Sequence, residues 1–168
     1  LKTIFDSSFD RPDTQQEGKN KLGKKCLNVE LVLQRMGSFR YDDNDTGDSS
    51  LMLTQVRYEN GGIYKGEWNQ AKQCRQGRGC MVWGDGSRYD GYWANDKADG
   101  RGRIIHADGT VYEGLWSDGK QNGLGTFTSA NMNKYKGIWK NNLMHGKGTE
   151  EWPDGTTFEG EYVNGKKT

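Results

Sequence analysis

The sequence is poor in the aliphatic residues that build ordinary protein cores. Leu, Ile, Val and Phe together number 26 of 168 residues, a level that is typical of disorder when it accompanies a large net charge. The formal net charge is only +1, however, and the chain contains 19 aromatic residues, six of them Trp. These rings predict an ordered fold whose core is not built mainly from aliphatic side chains.

Other scarcities exclude further classes of protein. No apolar run approaches the roughly 18 residues that a membrane-spanning helix needs, and the balanced charge disfavours a nucleic-acid binder, which carries a strong basic excess. The three cysteines, Cys26, Cys74 and Cys80, are an odd number without metal-ligand spacing, which favours a reducing compartment over a disulfide framework. His106 and His145 have no Cys or carboxylate pair at ligand spacing, so neither a metal site nor a catalytic site is expected.

Glycine, in contrast, is abundant and unevenly placed. Of the 25 glycines, 21 lie in residues 61–168 together with all six Trp, so the chain divides into two unlike parts near residue 50. Three patterns recur with a period of 23 residues. Aromatic-x-Gly-x-aromatic stands at 64–68, 89–93, 112–116, 135–139 and 158–162; Gly-x-Gly stands at 77/79, 100/102, 123/125 and 146/148; Asp-Gly stands at 85–86, 108–109 and 154–155. The first interval is 25 residues, which indicates a two-residue insertion within 69–76.

The alternation within these patterns predicts paired strands. Tyr64, Gly66 and Trp68 fall on one face of a strand, and the stretch after each Gly-x-Gly alternates in the same way. Asp-Gly between two such strands is a strong hairpin-turn signal. Because glycine weakens a strand, we expect a packing reason for it, namely an aromatic ring of the neighbouring hairpin lying flat across the bare Cα. We therefore predict an all-β fold: an elongated single-layer antiparallel sheet of tandem β-hairpins.

The sequence predicts the bounds of this array and of the segment before it. Residues 51–168 are predicted to form it, with a capping half-repeat at 51–60, four full repeats at 61–155 and a partial repeat at 156–168. Residues 1–50 are predicted to be a mostly irregular N-terminal extension with a short docking segment at 27–36. That segment fits a helix, with Asn28 as its cap and Gly37 as its stop, or a strand equally well. It is too short to be stable alone, so we expect it to dock on its own sheet or on another subunit.

Both ends of the chain suggest a longer protein. The chain begins with Leu1 rather than Met, and its fifth repeat stops before the Gly-x-Gly pattern recurs. The edge of the sheet near Thr168 would then be open, and we expect further repeats or a partner beyond it.

Tyr-x-Gly-x-Trp, Gly-x-Gly and Asp-Gly at a 23-residue period resemble the membrane occupation and recognition nexus (MORN) repeat. The resemblance covers residues 61–168. It implies a sheet of hairpins with an aromatic-lined groove that holds a helix or peptide of a partner, and a place among scaffolds of cilia, basal structures and membrane contact sites. The departures from the pattern are Asn131-Met132 for Asp-Gly, Tyr162 for Trp, and Glu150 where Met81, Ile104 and Phe127 stand. They predict a locally altered turn and a more polar last unit.

Two motifs suggest bound ligands, but each lacks residues that its ligand needs. Gly-x-Gly lacks the third glycine of a dinucleotide loop, so no cofactor is expected; Val82, Ile105, Thr128 and Glu151 occupy that position. Residues 42–47 resemble the start of a calcium loop, but Thr46 and Leu53 stand where ligands are needed. A solvated acidic loop is the preferred interpretation.

Two sets of side chains remain as candidates for binding. An aromatic row is predicted to be partly exposed and to line a partner-binding groove: Tyr64, Trp68, Tyr89, Trp93, Tyr112, Trp116, Tyr135 and Trp139. Four basic residues could contact an acidic partner or lipid head groups, with a solvated charged edge as the alternative: Arg78, Arg101, Arg103 and Lys147. Lipid binding is disfavoured because residues 61–168 balance 15 Lys and Arg against 13 Asp and Glu.

We therefore expect a non-enzymatic scaffold that binds a segment of a partner protein, with no nucleic acid and no small-molecule substrate. The expected location is the cytoplasm and cytoskeleton, including ciliary assemblies such as the axoneme or radial spoke. The alternative is a membrane-recruiting or phosphoinositide-binding module of a larger protein such as a lipid kinase, although no kinase or methyltransferase signature is present in this chain.

Overall fold

The computed structural model describes residues 22–45 and 47–168, with side chains from residue 28 onwards. The predicted irregularity of residues 1–21 lies outside the described residues, as does Thr46 of the acidic loop.

In the described part of the chain, eleven strands form one open antiparallel sheet in which every strand pairs with its neighbours in sequence. The strands are β1 (Met52–Arg57), β2 (Ile63–Asn69), β3 (Cys74–Val82), β4 (Arg88–Ala94), β5 (Lys97–Ile105), β6 (Val111–Ser117), β7 (Lys120–Thr128), β8 (Lys134–Lys140), β9 (Leu143–Glu151), β10 (Thr157–Val163) and β11 (Lys166–Lys167). The predicted sheet of tandem hairpins is confirmed. Because each strand pairs only with the strands before and after it in sequence, the sheet is built repeat by repeat.

Two kinds of turn join the strands. The Asp-Gly turns were predicted, and in the first of them Asp85 Oδ1 accepts the Ser87 N–H at 2.9 Å. At the other end of the strands lies a second kind, which the repeated patterns did not predict. Asn95 and Asp96 both have positive φ there, as two-residue hairpin loops require. The Asp96 N–H donates to the Arg75 carbonyl at 3.1 Å, so each such turn also ties its repeat to the preceding one.

The turn at Asn131-Met132 keeps the backbone geometry of the others despite its sequence. Met132 takes the positive φ (68°) that glycine supplies elsewhere, and its N–H donates to the Ser129 carbonyl at 2.9 Å, as in the Asp-Gly turns. The Ser129 hydroxyl accepts the Asn133 N–H at 3.1 Å, in place of the missing aspartate. The predicted alteration of this turn is therefore limited to its side chains.

Among the described residues that precede the sheet, 22–36 form a helix, α1 (Leu22–Met36), which starts five residues before the predicted docking segment. Asn28 lies inside the helix rather than at its cap, and its side-chain amide donates to the Ala107 carbonyl at 3.3 Å. Gly37 ends the helix as expected, with a φ of 73° and its N–H donated to the Leu33 carbonyl at 2.8 Å.

Candidate functional site

One face of the sheet, which we term the ring face, carries the repeated Tyr and Trp side chains. Strand pairing places Gly66 opposite Gly79, and Gly79 opposite Gly91. A tyrosine ring lies across these bare positions, since a Cβ at Gly79 would stand 2.3 Å from the Tyr64 hydroxyl oxygen. The same arrangement recurs in the following repeats. A ring does pack on these glycines as predicted, but it is the tyrosine of the same repeat rather than a ring of the neighbouring hairpin.

Edge-to-face contacts then link each ring to the next repeat. The Tyr89 ring lies 4.9 Å from Trp93 of its own repeat and 5.3 Å from Trp116 of the next, at interplanar angles of 78° and 90°. Each such pair contributes about 0.5–1.5 kcal/mol beyond the area it buries. The Trp93 indole N–H donates to the Gly79 carbonyl at 3.2 Å, which fixes the ring between two repeats. The rings therefore join the hairpins into one continuous core.

Seven of the eight rings predicted to line a groove are buried, with exposed fractions of 0% to 9%; Trp68 alone is half-buried. The expectation that this row is exposed is therefore wrong. Each ring lies between the rings of neighbouring repeats and the glycine backbone, so the rings cover one another. Burial also raises the pKa of the Tyr64 and Tyr89 hydroxyls well above the ordinary value. These side chains are the core of the protein, and they form the floor of the ring face.

Above this floor lies an outer set of apolar side chains that solvent reaches. It comprises Trp83, Ile104, Phe127, Trp152 and Phe158, of which the first four are half-buried and Phe158 is 40% exposed. The sequence placed Met81 and Trp83 on the glycine face but did not identify this set as a surface. The available signal was the alternation that follows each Gly-x-Gly.

A cleft of about 440 Å³ opens within this outer set. Trp83 and Ile104 supply its apolar lining, and its polar lining comes from four residues: Asn60, Asp85, Ser87 and His106. An apolar cleft with a few polar groups is suited to a side chain of a bound segment.

The opposite face, which we term the back face, is partly covered by the N-terminal part of the chain. Val29 and Val32 of α1 pack on Ile105 and Val111 of the sheet. The helix thus docks on its own sheet, which resolves the two alternatives left by the sequence.

After the helix, residues 37–45 cross the back face as a strap. The buried Phe39 ring meets the Tyr41 ring edge to face at 5.1 Å. The Tyr41 hydroxyl donates to the Gly79 carbonyl at 3.1 Å, and the Asp42 N–H donates to the Tyr92 hydroxyl at 3.0 Å. No periodic signal in the sequence indicated this strap.

Three of the four basic side chains predicted to contact a partner instead form ion pairs with residues of the strap or the sheet. Arg78 pairs with Glu67 at 2.7 Å and also donates to the Asp45 carbonyl at 3.3 Å. Arg101 pairs with Asp42 of the strap. These contacts also occupy Asp42 and Asp45 of the acidic loop.

The third of these side chains, Arg103, is almost completely buried. It donates to Glu113 Oε2 at 2.7 Å and to the Gly37 carbonyl at 2.8 Å. Lys147 remains exposed. Three of the four residues proposed to contact lipid or an acidic partner thus already have partners within the chain.

Metal binding, membrane spanning and thiol reactivity have little support in the described part of the chain. Within residues 22–45 and 47–168, no cluster of three or more His, Cys, Asp or Glu side chains could hold a metal ion. No helix in the same ranges is long and apolar enough to cross a membrane. Cys74 and Cys80 are free and buried, and burial raises the pKa of the Cys80 thiol, which disfavours the reactive thiolate.

The comparison with family models agrees with this architecture. The family model of the MORN repeat matches residues 64–88, 89–111, 112–131, 135–157 and 158–168. The comparison with curated proteins returned no match. Among solved structures, one similar chain is the TCP domain of SAS-4 (dCPAP) of Drosophila melanogaster in complex with a proline-rich motif of Ana2 (dSTIL). It is 12% identical, with a TM-score of 0.37, and the alignment covers 66% of this chain and 72% of that chain.

Proposed function

Because this chain belongs to the MORN repeat family, a module of protein-interaction scaffolds, we propose that it binds a segment of a partner protein along its ring face. The observation that carries this proposal is the outer apolar set above the buried rings. Trp83, Ile104 and Phe127 belong to successive repeats and remain accessible, whereas the rings beneath them are buried. A row of accessible aromatic and aliphatic side chains on a rigid floor is typical of an interface rather than of a free surface.

The bound segment is a helix or an extended peptide that presents an apolar side chain every repeat. Its side chains contact the outer set, and one of them enters the cleft beside Trp83 and Ile104. Of the eight rings that the sequence predicted to line the groove, seven are buried and support this surface from below. Trp68 is half-buried, so a partner can contact it.

The wider setting of this binding is carried over from the family resemblance. We propose a cytoplasmic, non-enzymatic scaffold in a cytoskeletal assembly, with a ciliary axoneme or radial spoke as the setting to examine first. Fluorescent tagging of the chain in ciliated and unciliated cells tests this location.

The alternative, recruitment to a phosphoinositide-containing membrane, has less support. Arg78, Arg101 and Arg103 are engaged by Glu67, the strap and Glu113, so they are not free to bind head groups. Flotation with vesicles containing phosphatidylinositol bisphosphate tests it. Salt-sensitive binding of the chain to these vesicles, lost in a Lys147→Glu variant, would favour the membrane function.

Affinity purification with matched variants tests the scaffold function. Phe158→Ser and Phe127→Ser remove accessible side chains of the ring face, and Leu143→Ser removes a side chain of similar exposure (46%) outside the outer set. We expect specific partners to be recovered with the wild type and with Leu143→Ser but not with the ring-face variants. Equal recovery by all four folded proteins contradicts the proposal.

A further inference from the structure

The back face carries a row of side chains that runs from β3 to β10. Its members stand beside the repeat glycines, and the register pairs Arg78 with Tyr92, Arg101 with Leu115, Leu124 with Ile138 and Lys147 with Glu161. Because these positions are equivalent from repeat to repeat, one extended or helical segment could follow the row from strand to strand.

The strap occupies the first half of this row and shows which chemistry the row binds. Carboxylates Asp42 and Asp45 lie against Arg101 and Arg78, and the Phe39 ring lies over the Arg101 guanidinium at 5.8 Å. An acidic segment with apolar side chains is thus bound there by the chain itself.

The second half of the row is uncovered. Leu115, Leu124 and Ile138 are 40%, 66% and 40% exposed. They are adjacent, since Leu124 and Ile138 are register partners and a Cβ at Gly123 would lie 3.0 Å from Leu115 Cδ1. Three neighbouring aliphatic side chains exposed on a rigid sheet form an apolar patch, in a chain with few aliphatic residues to spare.

A cleft of about 400 Å³ lies between the strap and β7. Met36 and Phe39 line one side of the cleft, and Thr126 and Thr128 of β7 line the other. Leu124 lies on the same strand, two residues from Thr126. A segment bound over the patch would therefore continue the interface that the strap has already formed.

The charge around the patch is basic. Strands β6, β7 and β8 contain four lysines and one acidic residue, Glu113, which pairs with Arg103. Lys136 and Lys140 lie two residues either side of Ile138, and both are exposed and make no ion pair with any described residue. Carboxylates of a bound segment would find these ammonium groups available.

We propose that Leu115, Leu124 and Ile138, with Lys136 and Lys140 beside them, form a second docking surface that binds an acidic, apolar segment of a protein partner. The segment lies on the back face, in line with the strap, while the ring face remains free for its own partner. The chain would then hold two partners on opposite faces of one sheet.

A fluorescence anisotropy titration of the full chain tests this proposal. The probe is a fluorescein-labelled ten-residue peptide of alternating leucine and aspartate, and the control probe has lysine in place of aspartate. We expect saturable, salt-sensitive binding of the acidic probe only. Leu124→Ser and Lys136→Glu, both at exposed positions, should each weaken binding about tenfold, because burial of one leucine or one favourable charge pair contributes that much.

Matched variants separate this surface from the ring face. Phe127→Ser and Phe158→Ser, both on the ring face, should leave the affinity for the acidic probe within twofold of the wild type. Equal binding of the two probes, or an affinity unchanged in Leu124→Ser and Lys136→Glu, overturns the proposal.

Two other occupants of the patch, a second copy of the chain or a membrane, would give different results, and either result would overturn the proposal. Self-association in sedimentation that is abolished by Leu124→Ser would assign the patch to a second copy of the chain. Binding to phosphatidylserine vesicles that is abolished by Lys136→Glu would assign it to a membrane. Since none of these readouts depends on the outer set, failure here leaves the ring-face function standing.

Discussion

At the scale of single residues, glycine here serves packing rather than flexibility. Gly137 lies in a strand beneath the Tyr135 ring, where a Cβ would stand 2.5 Å from the tyrosine hydroxyl and 2.7 Å from the Gly148 Cα. Neither the backbone nor the buried ring can yield easily in a close-packed core. Each such glycine is therefore required by the ring above it.

Gly137→Ala and Gly160→Ala form a matched pair of substitutions. At Gly160 the added Cβ meets only the Phe158 ring, 2.6 Å away, and that ring is 40% exposed and free to turn outwards. We expect Gly137→Ala to lower the free energy of unfolding by about 3 kcal/mol and Gly160→Ala by less than about 1 kcal/mol. Urea denaturation measures both, and equal losses would contradict the packing role.

The buried tyrosines predict loss of stability at alkaline pH. Burial raises the pKa of the Tyr64 and Tyr89 hydroxyls above that of the unfolded chain, so the folded state retains protons that the unfolded state releases. Their contribution to the free energy of unfolding is fully present below about pH 10 and falls as pH rises. Above about pH 11 the two together lower this free energy by about 3 kcal/mol per pH unit. Urea denaturation from pH 8 to 12, with tyrosinate absorbance, checks this; ionisation of all tyrosines near pH 10 without unfolding is the opposing result.

At the scale of elements, the repeat strands follow from local pattern, whereas the N-terminal segment depends on tertiary contacts. The alternation of rings and glycines indicated the sheet because every repeat satisfies the same local rule. The strap obeys no repeat, and its contacts join residues far apart in sequence, such as Tyr41 with Gly79. The burial of the ring row could not be predicted either, because it depends on how closely Tyr and Trp of successive repeats approach one another.

Helix α1 should depend on the sheet beneath it. Val32 is 5% exposed against Ile105 and Val111, whereas its neighbour Leu31 is 53% exposed. Short isolated helices are marginal in water, so Val32→Asp should release the helix, and Leu31→Asp should not. Hydrogen exchange over residues 28–36 measures the difference. We expect the amides to lose protection in Val32→Asp alone. Retained protection in Val32→Asp would mean that apolar contacts do not hold the helix on the sheet.

At the scale of the whole molecule, the sheet is a chain of contacts between neighbouring repeats, and its core of rings runs along the sheet from Tyr64 to Tyr162. Its last full repeat is more polar than the earlier ones, as the sequence indicated: Glu150 stands in the ring-face position of Met81, Ile104 and Phe127, and accepts the Tyr162 hydroxyl at 2.8 Å. Such arrays open locally, from their weakest repeats.

Native-state hydrogen exchange should therefore show a gradient along the sheet. We expect β9 and β10 to exchange faster than β4 to β6, which lie between ring pairs on both sides and beneath the strap. The measurement is the protection factor of each strand amide under native conditions. Uniform protection across all strands would indicate a globally cooperative fold instead.

The central claim, that the ring face binds a partner protein, is tested most directly by site-specific photo-crosslinking. A benzoylphenylalanine placed at Phe127 would report contacts on the ring face, and one placed at Leu143 serves as the control at a position outside the outer set. We predict a discrete crosslinked protein from position 127 that is absent from position 143. No adduct from position 127, or the same adducts from both positions, would contradict the account.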